Sequence, residues 1–186
     1  MPRLETMYTN DAGELIFDPD PELRAIISPS LHEVLSYWRK KAAGRPGPQR
    51  GDIRPAEIAH VLPMIFLADV IDEGVEFRFR LIGTGLTRVV GEDWTGKLVS
   101  ECYRPELTER LIRVLSHVVK HRVPLRTVAT VSAIEGFSAF RGENLFLPLF
   151  EGGDNVAVVL AACDLLEPES MGGEPSNLIG KPRRKH

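Results

Sequence analysis

Two imidazoles four residues apart, His117 and His121, are the first groups in this 186-residue chain whose types and spacing can do chemistry. On a helix that spacing puts both rings on one face, as paired metal ligands require. A metalloenzyme pattern asks for more. No carboxylate stands between them in an HExxH arrangement, and no third ligand is evident. Cations near a helix C-terminus are stabilising without any ligand, so no metal is expected; axial haem ligation by His117 stays open. The second group is Arg78 and Arg80 with Asp69, which reads either as an anion site on a rigid sheet or as a cross-strand ion pair under a helix. The third is Gly83-Thr84-Gly85, which either offers backbone and hydroxyl groups to a ligand or permits a tight bend. No nucleophile–base pair, phosphate-binding glycine loop or zinc pattern occurs, so no catalytic residue is named. An enzymatic alternative would have to draw its polar group from His117, Asp69 or Glu143.

These groups need elements to hold them. Phe77-Arg78-Phe79-Arg80-Leu81 alternates with period two, which predicts a strand with Phe77, Phe79 and Leu81 on its buried face. Met64 to Ile71 forms the preceding strand, and Asp72-Glu73-Gly74 the turn between them. Upstream, Ser28-Pro29 suits a helix cap and first turn, with Ser30-Leu31-His32-Glu33 as an alternative capping box. Leu31, Val34, Leu35 and Trp38 then recur along one helical face. Pro55 to Leu62 predicts a short helix, and Leu86 to Val90 another. Pro105 to His121 is the strongest helix, with Leu107, Leu111, Val114, Leu115 and Val118 as its apolar stripe. Three further strands are expected at Leu125–Ala133, Asn144–Phe150 and Val156–Leu166. Asp18-Pro19-Asp20-Pro21 marks residues 1–27 as an extended arm. Residues 167–186 read as a solvated, disordered tail. The domain is therefore placed at residues 28–166. The expected architecture is α+β: a five-stranded antiparallel sheet, an N-terminal amphipathic helix and a long crossover helix.

Composition excludes some classes. Hydrophobic residues make up 43% and charged residues 26%, ordinary for a globular protein. A net charge of −3 gives no global field for nucleic acid. No apolar run approaches a membrane span, and no basic-then-apolar leader begins the chain. Cys102 and Cys163, far apart and outside any CxxC, read as small buried hydrophobes of a reduced, cytoplasmic protein.

The element order and the local residues resemble a divergent PAS-domain family of small bacterial proteins. The residues that carry this are Trp38, Pro48-x-Arg50-x-Asp52-Ile53, Leu62-Pro63, Leu67-x-Asp69-Val70, Phe77-Arg78-x-Arg80-Leu81-x-Gly83-Thr84 and Gly91-x-Asp93-x-Thr95-Gly96. They span roughly residues 31 to 165; Arg54, where an acidic residue is the expectation, is a departure. The resemblance implies a sensory or interaction fold with a pocket between sheet and helices. It would be lined by Phe66, Phe77, Phe79, Leu81, Leu111, Leu115, Leu147 and Val158, with Trp94 as a cover or a packing residue; a filled core is the alternative. Such a cavity suits a small apolar ligand, and no cofactor is required, although haem or flavin is an alternative. Length leaves no room for an output domain, so the signal is expected to pass through a separate signalling protein or a homodimer. Leu31, Val34, Leu35 and Trp38 are the expected contact face, packed either on the chain's own sheet or on a second copy's. Neither nucleic acid nor membrane is an expected partner.

Overall fold

The computed structural model describes residues 16–103, 105–131 and 140–166. Among the described residues, six strands form one antiparallel sheet: β1 (Ile16–Pro19), β2 (Ile65–Ile71), β3 (Glu76–Ile82), β4 (Leu125–Val131), β5 (Phe140–Phe150) and β6 (Val156–Leu166), in the order β1-β4-β5-β6-β2-β3. Helix α1 (Pro29–Ala42) covers one face. The other is covered by α3 (Pro105–His121), with the short α2 (Thr84–Val90) after the β2–β3 hairpin. The result is three layers with a core on each side of the sheet.

Local chemistry explains the helices. Ser28 caps α1: its hydroxyl accepts from the Leu31 N–H, Pro29 opens the first turn, and Arg39, Lys40 and Lys41 close the last one. Leu31, Val34, Leu35 and Trp38 are all at most 4% exposed, packed with Leu145, Leu147, Leu149, Val158 and Leu160 of the sheet. Of the two expected placements the structure shows the chain's own sheet, which corrects these four residues as a contact face for a second copy. The Trp38 indole N–H also donates to the Pro148 carbonyl at 2.9 Å. Leaving such a ring exposed instead would cost about 2–3 kcal/mol.

Two further expectations change. The arm contributes a sixth strand: Ile16 to Pro19 pairs with Val128 to Leu125, and the Asp20 N–H bonds the Pro124 carbonyl. Pro19 is tolerated because β1 is an edge, and Pro21 lies beyond the strand. Residues 1–15 and the tail from 167 lie outside the described residues. The second change is a β-bulge. Leu67 faces Leu81, but Ala68 faces Phe79, so Arg80 is an extra residue in β3. Alternation inverts beyond it. Phe77 and Phe79 point into the α3 core, whereas Leu81 emerges on the opposite face, 44% exposed, and Ile82 takes the inward place. Leu81→Thr should change stability by less than about 1 kcal/mol, while Phe79→Ala should cost about 3–5 kcal/mol. Urea denaturation of the two variants decides; the reverse ranking would reject the bulge.

Candidate functional site

The α3 face of the sheet carries a connected set of aromatic rings. Phe66 and Phe79 meet edge-on at 5.4 Å, Phe79 lies 6.2 Å from Trp94, and Trp94 meets Tyr103 edge-on at 4.6 Å. Phe77, Trp94 and Leu115 complete the buried set, with Leu111 partly covered against it. Trp94 is held by Glu92, which accepts from its indole N–H at 3.2 Å and from Lys97 at 2.5 Å. The Lys97 ammonium first, then the indole, holds the Glu92 carboxyl below its ordinary range. Leu147 and Val158 are fully buried too, but in the α1 core. Strand alternation sends them there: Leu145, Leu147 and Leu149 face α1, while Phe146 and Phe150 face α3. The expected lining thus divides between two faces, and Leu81 lies on neither core.

Tyr103 leads from these rings outward. It lines a cleft of about 610 Å³ with Ser100, Thr108, Glu109, Ile112 and Arg113, between α3 and the turn at Val99–Glu101. The first half of α3 is only partly buried over this cleft, whereas Val114, Leu115 and Val118 in the second half are enclosed. Burial raises the Tyr103 phenol well above its ordinary pKa, with Cys163 and Cys102 adding to it. The hydroxyl therefore stays a neutral donor. Burial likewise lifts the Cys102 thiol, and pushes Cys163 up to about 12 with Asp164 as a second cause. Neither is a thiolate nucleophile at neutral pH. Tyr103 escapes a sequence reading because it stands alone between helices, and only packing gives it neighbours.

The polar candidates are spread over other parts of the fold. Asp69 faces Arg78 in register, yet its carboxylate pairs with Arg80, at 2.5 Å. The pair is partly exposed and is worth no more than about 1 kcal/mol. Arg78 is exposed and reaches the Gly96 carbonyl at 3.4 Å. Thr84 is the exposed first residue of α2. Gly83 serves close approach: a Cβ there would stand 2.3 Å from the Leu62 carbonyl oxygen and 2.4 Å from that of Pro63.

A buried polar cluster lies at the entry to α1. Glu143 is fully enclosed, and Arg126 is 4% exposed. Glu143 accepts from the N–H groups of Ile27 and Ser28, at 2.7 to 3.1 Å, and from Arg126 Nε at 2.5 Å. Ser28 donates its hydroxyl to Asp164 at 2.5 Å. Opposite charges on inward positions of two strands were a sequence signal that period-two reading passes over, since it counts only apolar residues.

His117 and His121 do share a face of α3, with ring centroids 4.3 Å apart. His117 meets Phe17 of β1 edge-on at 4.9 Å. Burial, then His121 and Lys120, lowers its pKa. Neither imidazole is among the residues lining the Tyr103 cleft.

A family model described as "PAS domain" matches residues 26–162. No curated protein matches the chain. Among solved structures, one described as an RNA-binding Light-Oxygen-Voltage receptor is similar with a TM-score of 0.41 at 18% identity. The match covers 64% of this chain and 35% of that one, so this chain spans about a third of its length.

Proposed function

This chain belongs to the PAS domain family, and from that premise we propose that it is a sensory or adaptor module. It takes a small apolar ligand at the Tyr103 cleft and acts through contact with another protein, a second copy included. The cleft carries the reading. Its volume of about 610 Å³ lies within the roughly 300–1,000 Å³ of small-molecule sites, and its floor joins the aromatic set through Tyr103. A ligand with a flat apolar body fits beside Tyr103 and Ile112. Thr108 and Ser100 supply hydroxyls at the rim, and Arg113, ion-paired with Glu109 one helical turn away, supplies charge.

The groups that an enzymatic alternative needs are elsewhere. Glu143 is committed to Arg126 and to the α1 entry, Asp69 to Arg80, and His117 packs against Phe17. For partner contact, the apolar face of α1 is already used, which leaves its polar outer face and the exposed strip of β3 around Leu81.

Binding of an environment-sensitive apolar dye such as anilinonaphthalene sulfonate tests the cleft. Thr108→Trp, which fills the cleft from a half-buried position, should weaken dye binding at least tenfold with little change in melting temperature. Ile112→Glu should do the same. Equal dye affinity in wild type and both folded variants would remove the cleft as the site. Light scattering of the same samples, with and without dye, reads the self-association arm.

A further inference from the structure

A second cleft, of about 570 Å³, lies between the C-terminal ends of α1 and α3. We propose that it binds a small molecule carrying a di- or polyphosphate group, through the guanidinium groups of Arg39, Arg45 and Arg122. The Tyr103 cleft lies over the other end of α3, so this proposal does not rest on it.

The first observation is charge. Three arginines line the cleft against one carboxylate, Asp20, and His121 adds a ring N–H. The chain as a whole has a net charge of −3, so this excess of cations is local. A guanidinium presents a planar fork of N–H groups that matches phosphate oxygens. Three forks exceed what the two oxygens of one carboxylate can accept, whereas a diphosphate has oxygens enough for all of them.

The second observation is how the arginines are held. Arg39 Nη2 donates to the Pro21 carbonyl at 2.8 Å and stands 3.6 Å from Asp20. Arg45 Nε donates to the Ala42 carbonyl at 2.9 Å, and its Nη2 to the Lys41 carbonyl and to Asp52, both at 2.7 Å. Each guanidinium is anchored in part, and among the described residues Nη1 of both has no hydrogen-bond partner. Arg122 is exposed, and its guanidinium makes no hydrogen bond or ion pair with a described residue.

The third observation is the backbone. Five non-glycine residues have positive φ among the described residues. Asp20 at +51° and Arg122 at +59° line this cleft, and Ala43 at +51° stands between its lining residues Ala42 and Gly44. Strain of this kind persists only where the surrounding structure imposes it, and it gathers at ligand sites. Glycine is the ordinary residue just past a helix end; after α3 an arginine carries charge to the cleft despite the strain.

Two features oppose an anion. The carbonyl ends of both helices disfavour one, but Arg45 caps the last carbonyls of α1, and the Arg122 N–H bonds that of Val118 in α3. Asp20 is mostly exposed and free to turn to solvent. The wall between the arginines is apolar, with Trp38, Ala42 and Pro124 buried. The volume lies within the range of small-molecule sites, so a flat ring can accompany the charged group.

Calorimetric titration of the full chain at low ionic strength, with inorganic pyrophosphate and separately with ADP, tests the proposal. One-to-one binding of at least one of them is expected, weakening as salt rises. Tighter binding of ADP would assign the apolar wall to a ring, and tighter binding of pyrophosphate would assign the site to the arginines alone; either supports the site. Arg122→Gly removes the guanidinium and the backbone strain together. It should weaken binding at least tenfold while the melting temperature stays level or rises, so that the loss of binding is not a loss of fold. Arg39→Gln should also weaken binding. Arg88→Gln, on α2 and outside the cleft, should leave it unchanged. Saturable binding of neither compound to wild type would overturn the proposal, as would wild-type affinity in Arg122→Gly or an equal loss in Arg88→Gln.

Discussion

Replacing Glu143 with alanine should lower the unfolding free energy by about 3–5 kcal/mol, a large part of what a domain of this size possesses. The loss has two sources. Arg126, 4% exposed, would keep its charge with its nearest carboxylate removed; Asp18 of β1 is 3.9 Å away. The N–H groups of Ile27 and Ser28 would lose their shared acceptor just where the chain enters α1. Glu143→Gln keeps an acceptor but not the charge, and should fall between wild type and alanine. The pair itself is a different matter, since two buried charges also lose hydration. Glu143→Leu combined with Arg126→Met should therefore be much less destabilised than the sum of the single changes. Urea denaturation of wild type, the Ala and Gln variants, the two single apolar variants and the double variant measures all six. A loss below about 1 kcal/mol in Glu143→Ala would mean that the cluster is not what holds the start of α1. Amide exchange at Ile27 and Ser28 gives a local reading: both should lose protection ahead of the rest of the fold.

Gly83→Ala should cost about 3 kcal/mol or more. The backbone at Gly83 is ordinary, with φ −64° and ψ 149°, so alanine meets no conformational penalty there. Space is the whole problem. The added carbon would stand 2.3 and 2.4 Å from two carbonyl oxygens, both backbone and unable to rotate away. The turn at Leu62–Met64 would have to move away beside the point where the Gly83 N–H bonds the Ile65 carbonyl at 2.8 Å. Gly91→Ala is the informative control: there φ is +84° and nothing lies within 4 Å of the new carbon. That change should cost only about 1 kcal/mol, through backbone strain alone. Thermal melts of the two variants separate the causes, and equal losses would refute the crowding argument at Gly83.

The parts of this fold legible in the sequence are those governed by short-range pattern. Pro105–His121 could be read to the residue because its stripe has helical spacing and its boundaries are chemical. The cap at Ser28 was readable for the same reason. Val156–Leu166 stood out because a central strand buried on both faces is almost continuously apolar. What escaped was set at long range. Pattern gives each strand two faces without saying which face meets which helix, so it does not separate Leu147 and Val158 from Phe66 and Phe79 on the other side of the sheet. The arm supplied an edge strand despite its prolines because β4 offered it a partner. Glu143 was visible as a charge in a strand; that Arg126 would meet it depended on register. The aromatic residues were visible singly, and the cleft beside Tyr103 exists only once α3 is laid down.

The bulge at Arg80 works in the sheet as a shift of frame works in a coding sequence. Residues before it and after it obey the same rule, but they count from different origins. Any position-by-position comparison of this strand with another chain has to skip one place at Arg80, or surface will be matched to interior. In the corrected frame the inward positions are 77, 79 and 82, and Leu81 is free to vary with the outside of the molecule. The strand whose regular alternation looked most uniform therefore holds two half-strands of opposite phase, joined at a single arginine.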